Sequence, residues 1–207
     1  MTSKDEQNIA QAYVEKKTRI SYEELKERLT GIHIFEHQVF LMLTYSVLGR
    51  VGEIVKGDYN YNPPIASNQI LTKELPATKE MPNGKRLLTI LLLTEKTDKF
   101  RRVPVNRDKE AWLTEPILDY AKFREGKPMF PYSVRWGQKV FEKYFGDKYN
   151  QHIHLLRGWR ATHLRQGKVT GSIVDWGVIA KMGGWTEIKT PQRYYDSSIS
   201  EDFEQFI

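Results

Sequence analysis

Several side chains spread along this chain have the chemistry to act on a phosphate ester. The guanidinium groups of Arg50 and Arg157 offer fork-like donors that match phosphate oxygens in a way a lysine does not. His154 precedes Arg157 by three residues, so at the start of a helix the two share one face and point at one object. Lys96 falls in a charged turn, where an ammonium can reach into a groove and give up a proton. Trp185 brings an indole N–H, which donates a hydrogen bond but exchanges no proton. Nine residues later Tyr194 brings a phenol, with Tyr195 beside it as a competitor for the role of nucleophile. Each also has a plain structural reading: a capping arginine, an exposed hairpin lysine, a tyrosine packed in a core.

Composition narrows the class of partner. The chain has 207 residues, 40% of them hydrophobic, with no long uncharged apolar run, which predicts one soluble domain and no membrane partner. The start, MTSKDEQ, lacks the apolar stretch of an export signal, so nothing directs export and the expected location is cytoplasmic. Zero cysteines exclude disulfides and thiolate metal sites. The five histidines have no HExxH-like spacing, and the carboxylate cluster of a metal nuclease is missing, so no metal and no cofactor is expected. The net charge of +6 is localised: residues 85–148 hold 15 Lys and Arg against 9 Asp and Glu, while the remainder holds 17 of each. Such a focused basic region suits a polyanion, because every phosphate neutralised releases counterions.

The elements that must position these groups follow from hydrophobic periodicity. A helical pattern covers 4–17, and Ser21 with Glu24 makes a capping box for a helix over 22–29. The apolar stretch 34–48 predicts a buried core helix that Gly49 breaks just before Arg50, followed by a short helix over 51–55. Three strands, 69–75, 85–93 and 101–105, joined by short turns, predict an antiparallel sheet. Helical patterns resume at 109–123, 133–145, 155–166, 172–182 and 191–196, with a short tail helix over 201–206. The fold class expected is α+β, mostly helical with a small three-stranded antiparallel sheet. It divides into an N-terminal helical segment or linker, 1–30, and a main domain, 31–207, with a short C-terminal tail.

In order along the chain, four segments resemble the motifs of the tyrosine recombinase, or phage integrase, family. Val47-Leu48-Gly49-Arg50-Val51-Gly52-Glu53-Ile54 is similar to the family's T-G-L-R-x-S-E-L, with Arg50 and Glu53 at the basic and acidic positions. Residues 94–104 resemble the G-K-G-x-K-x-R-x-x-P hairpin, keeping Lys96, Lys99, Arg101 and Pro104 but neither glycine. Residues 154–164 resemble H-x-L-R-H-x-x-A-T-x-L, with His154, Arg157, Ala161, Thr162 and Leu164 in place. Residues 184–194 resemble the family's G-H-x-x-I-x-T-T-x-x-Y, with Trp185 where most members have His and Tyr194 at the nucleophile spacing.

The resemblance covers residues 34–196 and implies the catalytic fold of that family. It also implies site-specific DNA recombination or integration through a 3′-phosphotyrosine intermediate, independent of metal and ATP. In that scheme Tyr194 attacks, Arg50 and Arg157 clamp the phosphate, His154 and Trp185 assist, and Lys96 protonates the leaving oxygen. Lys99, Arg101, Arg102 and Arg160 are the further DNA contacts expected. The implied partners are double-stranded DNA, a homo-oligomer (a tetramer on DNA) and accessory DNA-bending proteins, and the implied setting is a mobile genetic element. Type IB topoisomerase or telomere-resolvase activity, or a non-catalytic DNA-binding relic, are the alternatives. Relatives usually carry a separate helical domain ahead of this one. Here 49 residues precede Arg50, so the chain reads either as an excised catalytic domain or as a minimal recombinase. Phe203, Phe206 and Ile207 in the tail could fold onto their own domain or dock on a neighbouring protomer.

Overall fold

The computed structural model describes residues 19–56, 63–79, 82–94, 99–146 and 152–195, the last three by backbone alone. The patterns at 4–17 and 201–206, and the turn bearing Lys96, lie outside the described residues. The α-helices are α1 (Tyr22–Thr30), α2 (Phe35–Ser46), α3 (Val51–Ile54), α4 (Ala111–Arg124), α5 (Val134–Phe145), α6 (Leu155–Arg165), α7 (Trp176–Gly183) and α8 (Lys189–Tyr195). Between α3 and α4 a turn of 3₁₀ helix at Ser67–Gln69 leads into β1 (Ile70–Leu75), β2 (Lys85–Leu93) and β3 (Phe100–Asn106). The strands form one antiparallel sheet in the order β1-β2-β3, with Ile70 opposite Ile90 and Ile90 opposite Val103. This is the α+β architecture with a small three-stranded sheet that the sequence predicts.

Helix α2 is the axis of the core. Every residue from Val39 to Ser46 is buried, so the helix is covered on all sides and packs against α1, α4, α5 and α6. Phe40 meets Phe130 and Trp136 with ring centroids 5.4 and 4.8 Å away. Helix α5 crosses close by at Gly137, where a β-carbon would lie 2.8 Å from the Phe40 ring and 2.7 Å from Val51. Leu25 and Leu29 of α1 belong to the same core, so the chain from Ile20 onward is integral to it.

The end of α2 differs from expectation. Gly49 was the predicted breaker, but the helix ends at Ser46 and Leu48 takes the left-handed conformation, φ 51°. For a branched, fully buried side chain this costs about 1–2 kcal/mol. Gly49 is required for space instead, since a β-carbon there would sit 2.9 Å from Val47 and 3.3 Å from Ile54. Helix α7 also starts later than its pattern, at Trp176, because the Asp175 side chain accepts the Gly177 N–H (2.7 Å) and caps the helix there.

A buried polar cluster ties α6 to the rest. The Arg160 guanidinium pairs with both oxygens of Glu110, which precedes α4, and lies over the Tyr45 ring. His163 sits between Tyr45 Oη (3.0 Å at Nδ1) and the Ile20 carbonyl (2.9 Å at Nε2). A carbonyl only accepts, so Nε2 carries the proton and Nδ1 accepts from Tyr45. Burial first, then the Arg160 charge, lower the His163 pKa to about 4, against the bond to Ile20 that raises it. The unfolded chain therefore binds this proton near pH 6.5 and the folded chain only near 4, so the stability is present at neutral pH and lost as pH falls through that window. Urea denaturation should show a loss of about 3 kcal/mol through this group between pH 6.5 and 4. His163→Gln, which keeps a donor for Ile20 and does not titrate, should make the curve shallower there, the remaining slope coming from His154, whose pKa is also lowered. An equally steep acid limb in that variant would assign the effect to another group.

Candidate active site

Four of the sequence-predicted residues come together where three helix ends meet. Arg50 is the residue before α3, and its backbone N–H (2.9 Å) and Nη1 (3.2 Å) both donate to the Glu53 carboxylate at the third position of that helix. His154 immediately precedes α6, and Arg157 lies in its first turn. Trp185 follows the left-handed Gly184 that ends α7. Its indole covers the Arg157 guanidinium at 3.8 Å, a cation–π contact.

Arg157 is 1% exposed. Nη1 donates to the Leu48 carbonyl (2.7 Å) and Nη2 to the Gly183 carbonyl (2.8 Å), so one guanidinium joins the strained turn after α2 to the end of α7. His154 is exposed, yet desolvation of its ring, followed by the Arg157 and Arg50 charges, lowers its pKa. The imidazole is therefore neutral at pH 7, and the two arginines that depress it are the two predicted to bind phosphate.

Glu53 was assigned in sequence only as the acidic member of its motif. It is 3% exposed and holds Arg50 on one side and Arg101 Nη2 (2.8 Å) on the other. Burial pushes its pKa up, but Arg101, the Arg50 N–H and the Arg50 charge outweigh this, leaving it below the ordinary carboxylate value and ionised.

Two expected DNA contacts are corrected. Arg101 and Arg160 are 8% and 1% exposed and spend their terminal nitrogens on internal acceptors, so neither presents a guanidinium to a duplex. Strand alternation carries the signal for Arg101: it shares a face with the buried Val103 and Val105, while Arg102 and Pro104 face out. For Arg160 the signal is the helical repeat through Leu156 and His163, all three turned into the core. Lys99 and Arg102 are exposed at the base of the hairpin, open to a ligand. Lys96 lies outside the described residues, and Tyr194 is placed by backbone alone, on α8, which packs against α6 and α7.

No family profile matches the chain, and no curated protein does. Among solved structures, it is similar to the XerH site-specific recombinase in a post-cleavage complex with palindromic difH substrate. The TM-score is 0.59 at 17% identity, over 90% of this chain and 52% of that one. The fold is that of a tyrosine recombinase catalytic domain. The Tn1549 transposon integrase in complex with transposon right-end DNA also matches, with a TM-score of 0.50 at 12% identity over 92% of this chain and 67% of that one. This chain thus spans about half the length of the XerH chain. The segments that carry Arg50, His154 with Arg157, and Trp185 converge at the start of α3, the start of α6 and the end of α7. No helix among the described residues is long and apolar enough to cross a membrane.

Trp185 stays over Arg157 because residue 183 has no side chain: a β-carbon at Gly183 would overlap the indole. Gly183→Ala should therefore lift the ring off the guanidinium, at a cost of about 1–3 kcal/mol of stability. Acrylamide quenching of Trp185, isolated as the difference from Trp185→Phe, should rise in the variant. Unchanged quenching and stability would mean that the ring is not held there.

Proposed function

We propose that the protein cleaves and rejoins DNA strands as a site-specific recombinase, through a covalent 3′-phosphotyrosine. The observation that carries this reading is the convergence of Arg50, His154, Arg157 and Trp185 at the meeting of α3, α6 and α7, with Tyr194 on the helix packed beside them. The proteins of like fold were captured on DNA, which supports DNA as the substrate class here.

On this reading the Tyr194 phenol oxygen attacks a backbone phosphorus and the bond to the 5′ oxygen breaks. Neutral His154 takes the phenol proton, consistent with its lowered pKa. Lys96 gives a proton to the departing 5′ oxygen. Arg50 and Arg157 stabilise the charge that builds on the non-bridging oxygens of the five-coordinate phosphorus. Arg157 is as buried as Arg160 and bonded to the Leu48 and Gly183 carbonyls, so for it to act both the indole and those bonds must yield as a phosphate arrives. Trp185 then exchanges a cation–π contact for an N–H donated to phosphate oxygen. A 5′ hydroxyl from a partner strand then attacks the phosphotyrosine and releases the phenol. The bond energy is conserved in the ester, so no nucleotide is consumed.

Exposed Lys99 and Arg102 serve as backbone contacts, and binding should weaken steeply with salt. Exchange between two duplexes calls for a tetramer on DNA, with accessory DNA-bending proteins as further partners.

The test is covalent capture. The protein is mixed with fragmented source DNA in EDTA and quenched with SDS, and the protein-linked ends are sequenced. Adducts should form without divalent metal and vanish in Tyr194→Phe, and Arg157→Lys should lose on the order of 100-fold in rate. Adducts that persist in Tyr194→Phe would move the nucleophile to Tyr195 or elsewhere. An absolute need for a divalent ion would sink the mechanism. Because His154 is neutral below the usual histidine range, cleavage should hold its rate as pH drops past 6.5 and fall only at lower pH.

A further inference from the structure

Arg101 has no part in the reaction just described, yet it touches the segment that bears Arg50 and the end of α7 that leads to Trp185. On β3 it turns inward with Val103 and Val105 and delivers its guanidinium beneath the site. Nη1 donates to the Val47 carbonyl (2.9 Å), in the turn leading to Arg50, and to the Met182 carbonyl, near the end of α7. Nη2 donates to Glu53 (2.8 Å), the carboxylate that also holds Arg50. Arg157 repeats the bridge one residue further along both segments, from Leu48 to Gly183. The turn after α2 and the end of α7 are therefore joined twice, by two parallel cationic links. The side chain also packs on Gly184, where a β-carbon would lie 3.1 Å from Arg101 Cδ, and residue 184 is further held by its φ of 69°.

We infer that Arg101 is a positioning residue: it fixes Arg50 relative to the Arg157–Trp185 pair and acts on strand cleavage through them, without touching DNA. The inference rests on the recombinase reading for its effect on rate, and on the contacts alone for its effect on geometry. A buried cation is costly unless it is paired with an opposite charge. Here the compensating charge is Glu53, so the same ion pair that makes Arg101 tolerable also aims Arg50. A lysine offers donors from one point and cannot span two carbonyls and a carboxylate as the planar fork does. Misplacement of reacting groups by about 1 Å can cost on the order of 100-fold in rate.

The experiment uses the full chain labelled with 5-fluorotryptophan, with the Trp185 fluorine resonance assigned by its loss in Trp185→Phe. In Arg101→Met the Trp185 signal should shift or broaden while the other four tryptophans hold their places, and thermal unfolding should stay cooperative. On a duplex carrying the captured site, the rate of adduct formation at saturating DNA should fall on the order of 100-fold, with the half-saturating DNA concentration unchanged. An unmoved Trp185 resonance with a near-normal rate overturns the inference. So does weakened DNA binding with Trp185 in place, which would make Arg101 a DNA contact. If the wild-type chain forms no adduct, the recombinase reading fails, and the fluorine signal alone still decides whether Arg101 sets the geometry of these segments. Should Arg101→Met not fold, Arg101→Lys, which keeps the charge beside Glu53, is judged by the same two readouts.

Discussion

Two buried guanidinium groups hold the centre of this protein together by donating to backbone carbonyls. Arg101 spans Val47 and Met182, and Arg157 spans Leu48 and Gly183. A turn and a helix end face each other with their carbonyls, and the two cations donate to both. The left-handed Leu48 belongs to the same constraint, because its conformation presents its carbonyl to Arg157. The strain there is offset by charge-assisted hydrogen bonds, which are stronger than neutral ones. Glu53 completes the balance of charge: a single ionised carboxylate compensates Arg101 and orients Arg50.

The rest of the domain frames this junction. Helix α2 delivers the turn, α6 delivers Arg157 at its first turn, the sheet delivers Arg101, and α7 stops at two glycines whose lack of side chains lets the indole and the β3 arginine approach. The second buried pair, Arg160 with Glu110, ties the far half of α6 to the start of α4. Together with His163, which bonds Tyr45 and Ile20, it fixes the half of α6 away from His154 and Arg157. The helix is thus polar at both ends inside an otherwise apolar core, and neither set of charges is free to rearrange alone.

Much of this was legible in the sequence. The core helix, the three strands and their order, and the segments bearing Arg50, His154, Arg157 and Trp185 follow from periodicity and motif order, and the architecture agrees. The errors concern arginines and a glycine. The resemblance implies Arg101 and Arg160 as DNA contacts, whereas strand alternation and the helical repeat place both inside, where partners distant in sequence, Glu53 and Glu110, neutralise them. Gly49 was read as a helix breaker from propensity. Tertiary hydrogen bonding moved the break to Leu48 and left Gly49 to a steric role. These outcomes depend on contacts across about 50 to 110 residues of sequence, beyond the reach of any local pattern.

The bond from His163 to the Ile20 carbonyl gives the chain a fixed point of departure. His163 lies six residues after Arg157 on the same helix, about 9 Å along its axis. A helix transmits an axial force over that distance with little give. The position of the chain at Ile20 is therefore tied to the helix that holds the guanidinium under Trp185. The entry of the chain and the centre of the domain thus share one rigid element.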